Sequence, residues 1–87
     1  MCTGITESAR VSGSGKGPKG WVTLDQVSVC FDHPDYAQGE RAVIIDFLNS
    51  WAGPDARIAV ELTPDSAKKL VHAILTSMSR GNADRDI

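Results

Sequence analysis

The residues of this chain best suited to chemistry are Cys2, Cys30, Asp32, His33 and Asp35. Two soft sulfurs, an imidazole and two carboxylates form a donor set for zinc or another transition metal, with Cys2, Cys30 and His33 as its ligands. The same groups can be read as a nucleophile site, in which His33 deprotonates the Cys2 thiol and a neighbouring acid orients the imidazole. Cys2 and His33 are then the candidate catalytic residues, and Cys30, Asp32, Asp35 and Asp46 the candidate ligand-binding residues. The local spacing in the set is the C-x-x-H of Cys30 and His33, stiffened by Pro34, and it is a weaker signature than paired C-x-x-C motifs. Taken alone, Cys30 suits a small half-buried strand position equally well.

A second group lies in Gly13-Ser14-Gly15-Lys16-Gly17. Backbone amides and a lysine can cradle phosphates, but Gly17 stands where a phosphate-binding loop requires Ser or Thr, and a strand pattern follows where a helix should begin. A looser anion clamp built on Lys16 and Lys19 remains, beside the simpler reading of a solvated hairpin tip.

These residues must be positioned by strands. Residues 5–12 read as a weak strand, and residues 13–20, with four glycines and Pro18, read as a long connecting loop. Residues 21–31 alternate, with Val22 and Leu24 on one parity and Val27, Val29 and Phe31 on the other, so a β-bulge is expected near Asp25 and Gln26. A polar loop at 32–40 leads to a strand at 41–48, Gly53-Pro54-Asp55 breaks the chain, and residues 57–62 alternate as a fourth strand. Pairing Ser12 with Trp21 across the glycine loop would carry Cys2 beside Phe31 or Asp32, within reach of Cys30 and His33.

The helix signal is the clearest one. Thr63 is an N-cap type, Pro64 fits the first helical position, Asp65 suits the positive end, and Gly81 is a stop signal. Ala67, Leu70, Val71, Ile74, Leu75 and Met78 fall within an arc of roughly 140°. His72 falls on the polar side. The predicted architecture is α+β and two-layer: a four-stranded antiparallel meander with one C-terminal helix packed on one face, ββββα. It is one domain over residues 1–81 with a disordered tail at 82–87.

Closing the loop after Phe31 so that His33 opposes Arg41 puts Val27, Val29, Phe31, Val43, Ile45 and Phe47 on one face. That odd-numbered face is expected to meet the helix. The even-numbered face carries Ser28, Cys30, Asp32, Ala42, Ile44, Asp46 and Leu48, and is expected to serve assembly or a small ligand. Trp21 and Trp51 are expected to cap core edges.

The whole chain has 87 residues, 9.3 kDa, 41% hydrophobic and 23% charged. A globular chain of this size buries roughly 63% of its unfolded surface, which leaves stability marginal and makes a homo-oligomer, most simply a dimer, the natural remedy. A net charge of −2 argues against nucleic acid, and the absence of an apolar run long enough to span a bilayer argues against a membrane. A cytoplasmic protein with reduced cysteines is expected. Two functional readings follow. One is a small homo-oligomeric binding or accessory domain, with a small molecule or protein as partner. The other is a small metal- or thiolate-dependent enzyme with its site at Cys2, Cys30, Asp32 and His33.

Met1-Cys2-Thr3, the glycine-lysine segment before Trp21, Phe31-Asp32-His33-Pro34, Ile45-Asp46-Phe47 and Val60-Glu61-Leu62-Thr63 together resemble a family of small bacterial proteins of unknown function. The resemblance spans nearly the whole domain and implies no activity. It implies more histidine between Pro34 and Ala42 than this chain has, where Tyr36 and Arg41 stand instead.

Overall fold

The computed structural model describes residues 5–32, 41–53 and 56–85. Four strands, β1 (Ile5–Gly17), β2 (Gly20–Asp32), β3 (Ala42–Leu48) and β4 (Arg57–Leu62), form one antiparallel sheet in the order β1-β2-β3-β4. Helix α1 (Pro64–Arg85) follows directly. The ββββα order and the meander are those the alternation patterns predict.

Register confirms the division into two faces. Val27 pairs with Phe47, Val29 with Ile45 and Phe31 with Val43, while Val43, Ile45 and Phe47 pair with Leu62, Val60 and Ile58. Directly paired residues share a face, so the odd face is apolar across three strands. The even face pairs Ser28 with Asp46, Cys30 with Ile44 and Asp32 with Ala42.

The first hairpin departs from expectation. Residues 13–17 belong to β1 instead of a loop, Lys16 opposes Trp21, and the connection shrinks to Pro18 and Lys19. Pro18 presets φ for such a turn, and Gly20, at φ +113°, supplies the left-handed backbone that closes it. The register shift lies on β1 between Arg10 and Gly13, not at Asp25 and Gln26 on β2. The extra residue is on β1, three steps from Arg10 to Gly13 against two from Gln26 to Leu24, so it shifts the parity of β1.

Gly15 has a packing reason to be glycine. A Cβ there would stand 2.6 Å from Ile58 Cδ1 and 2.9 Å from Leu24 Cδ1, so the hairpin arm folds its backbone against β4 at one corner of the odd face. Leu24 is buried at that corner. Ser50 fastens the arm from the other side, donating its backbone N–H to Asp25 Oδ1 at 2.9 Å and its hydroxyl to Asp25 Oδ2.

Helix α1 starts as its cap residues predict. Ala67 N–H donates to Thr63 O at 2.9 Å, and Ser66 N–H to Thr63 Oγ1 at 3.2 Å. It does not stop at Gly81 but continues to Arg85, because Gly81 keeps an ordinary φ and a helical glycine costs only about 1 kcal/mol relative to alanine. Residues 82–85, expected in the tail, are helical. The helix covers far less sheet than a two-layer packing would require. Pro64 and Ala67 are half-buried, and from Lys68 to Asn82 every side chain is exposed. Leu70, Val71, Ile74, Leu75 and Met78 range from 42% to 62% exposed.

Candidate functional site

Of the residues proposed for chemistry, Cys2, His33 and Asp35 lie outside the described residues. Cys30 and Asp32 sit near the end of β2, both buried, with Ala42 buried beside them on the even face. Cys30 is disulfide-bonded, contrary to the expected free thiol. A sulfur held in a disulfide is neither a thiolate nucleophile nor a thiolate ligand, so Cys30 cannot serve in the metal set while that bond stands. Among the described residues, no three His, Cys, Asp or Glu side chains gather as a metal site would need. Asp46 lies elsewhere on the even face and accepts a hydrogen bond from Arg57 Nε at 2.8 Å. That pair is partly exposed and is worth at most about 1 kcal/mol.

At this end of the sheet Arg41 lies over the Phe31 ring, its guanidinium carbon 4.6 Å from the centroid. Phe31 faces the odd side, so a cation covers part of an apolar surface there.

The opposite end of the sheet holds a cleft that spacing and motifs did not single out as a whole. Its volume is about 440 Å³, and its walls are the hairpin turn, through Gly17, Lys19 and Val22, and the start of β4, through Ala56, Arg57 and Ile58. Lys19 belongs to the anion clamp suggested by sequence; Arg57, 38 positions away, lines the same cleft with its Nε–H donated to Asp46. Trp21, on the hairpin arm, and Trp51, in the turn before β4, are both highly exposed, Trp51 at 91%, so neither caps a core edge. Small residues fill that corner instead: Gly15 lets Leu24 and Ile58 approach with no room left for an indole.

Around the cleft the turn is internally bonded. Asn49 Oδ1 accepts from Trp51 N–H at 2.8 Å, and Asn49 N–H donates to Ala56 O at 3.2 Å. The Ser50 hydroxyl and then its backbone N–H hold the Asp25 carboxyl below the usual carboxylate range. Nothing in the spacing of Asp25 and Ser50 could reveal this link, since both read as ordinary loop or edge polar residues.

No helix among the described residues is long and apolar enough to cross a membrane. No curated protein and no solved structure matches the chain. A family model does match, over residues 1–86, and the chain belongs to that family, DUF6295, a family of unknown function.

Proposed function

We propose that this DUF6295 member is a small homo-oligomeric binding or accessory domain whose surface is completed by further copies of itself. The observation that carries the reading is area. The chain exposes 7070 Å², whereas a compact monomer of its mass exposes about 5,000 Å². The excess is more than twice the roughly 800 Å² per partner that a standard interface removes. Its radius of gyration, 14.8 Å, likewise exceeds the value of about 12 Å for a compact chain of this length.

Sequence assigns assembly to the even face, but the distribution of burial supports the odd face and the helix. The even face has Cys30, Asp32 and Ala42 buried, while Val27, Val29, Phe31, Val43, Ile45 and Phe47 on the odd face are only half-buried. An expected cytoplasmic setting rested partly on reduced thiols, and a disulfide at Cys30 takes that support away. Sedimentation equilibrium at micromolar concentration tests the reading: a multimeric mass is expected, and a strict monomer overturns it.

A second reading concerns the cleft. Lys19 beside Val22 and Ile58 suits a small organic anion, the carboxylate meeting the ammonium and the carbon skeleton meeting the apolar side chains. Titration of isotope-labelled protein with a short-chain carboxylic acid should shift the amide signals of Lys19, Gly20 and Arg57. Unmoved signals, or identical shifts in Lys19→Ala, would remove this reading.

A further inference from the structure

We infer that α1 of each copy packs on the odd sheet face of a second copy, giving a helix-exchanged dimer; the inference rests on the homo-oligomer reading above. Three features of the chain support it. The stripe of Leu70, Val71, Ile74, Leu75 and Met78 is uncovered along a helix about 33 Å long. The odd face, apolar from Phe31 to Leu62, is only half-buried: Val29, Phe31, Val43, Ile45 and Phe47 each keep part of their surface in solvent. Each surface is the natural cover for the other, and within one chain α1 touches β3 and β4 with only Pro64 and Ala67 half-buried.

The reason is the connector. Thr63 alone separates Leu62 from Pro64, whereas helix-to-strand connections in compact units use about two to six residues. Proline at 64 keeps Thr63 in the extended backbone that an N-cap residue adopts, so the chain enters the helix with little slack. A helix whose stripe stays exposed beside its own sheet can lie on a neighbour's, which is how short hinges lead to exchange.

An isologous arrangement forms the contact twice and closes on itself, which makes the expected assembly a dimer and not a fibre.

The test uses wild-type protein, one half carbon-13-labelled and the other unlabelled, mixed through denaturant and refolded. Isotope-filtered NMR should show contacts between Ile74 or Leu75 methyls of one copy and Ile45 or Val29 methyls of the other. Helix-to-helix contacts in a dimer would overturn the exchange while leaving the homo-oligomer reading intact; a monomeric mass would overturn both. A variant pair gives an independent readout. Ile74→Asp and Ile45→Lys should each fail to dimerise alone, and their mixture should recover a dimer, since one of its two contacts is wild type and the other pairs opposite charges. A mixture that stays monomeric, or Ile45→Lys that dimerises like wild type, overturns the exchange.

Discussion

The two faces of the sheet invert the usual relation between composition and burial. The apolar odd face is half-buried from Val27 to Phe31 and along β3 and β4, while the mixed even face holds Cys30, Asp32 and Ala42 out of solvent. Burial therefore follows what covers a face more than what the face is made of. At the even face it coincides with a covalent cross-link at Cys30. At the odd face the helix touches β3 and β4 but leaves its stripe from Leu70 to Met78 exposed. The exception at the odd face supports the rule: its corner at Ile58 is reached by the hairpin arm through Gly15 and Leu24.

The largest effect that could break this comparison is on assembly. Ile74→Ala removes the same buried side chain from both contacts of an exchanged dimer, at about 2 kcal/mol each, so the dimer should weaken on the order of a thousand-fold. Sedimentation equilibrium reads the shift, and Ser28→Ala on the even face should leave the mass unchanged. An unaltered Ile74→Ala would mean that the stripe stays in water.

Reducing the Cys30 disulfide comes next. Loss of a disulfide from a domain this small should cost about 2–4 kcal/mol, read as a lower urea midpoint in the presence of reductant. If the midpoint does not move, the burial of the even face is not cross-link-dependent.

Gly15→Ala sharpens the role of the arm. Its new Cβ must displace the tips of Ile58 and Leu24, and overpacking of this kind costs about 1–3 kcal/mol. Denaturation should show the loss, and Leu24→Ala in the same chain should recover part of it by opening the space.

The smallest effect is a pH dependence. Asp25 has a folded-state pKa below its unfolded value because the Ser50 hydroxyl and backbone N–H bond its charged form. Its contribution is therefore fully present above the ordinary aspartate pKa of 3.8 and is lost as pH falls through the depressed folded value. Melting curves across that acid window should be steeper in wild type than in Asp25→Asn, and parallel curves would show the link to be without consequence for stability.

Much of this was legible in sequence. Strict alternation on β2, β3 and β4 dictated which residues share a face, since a side chain's face depends only on parity once the register is set. Thr63, Pro64 and the stripe from Ala67 to Met78 dictated the helix and its start, because capping and periodicity are local properties. Glycine content misled over residues 13–17: the cost of glycine in a strand is intrinsic, but the reason to accept it at Gly15 is a neighbour 43 residues away. The strand carrying the bulge, the link from Asp25 to Ser50, the meeting of Lys19 with Arg57 and the exposure of Trp21 and Trp51 were likewise decided only in three dimensions. Each depends on contacts between segments that local patterning treats as independent. Local patterning was enough to give one apolar helix face and one apolar sheet face; the three-dimensional packing decided that a single chain joins them only at the first turn of the helix, since periodicity says which residues share a face and nothing of what covers it.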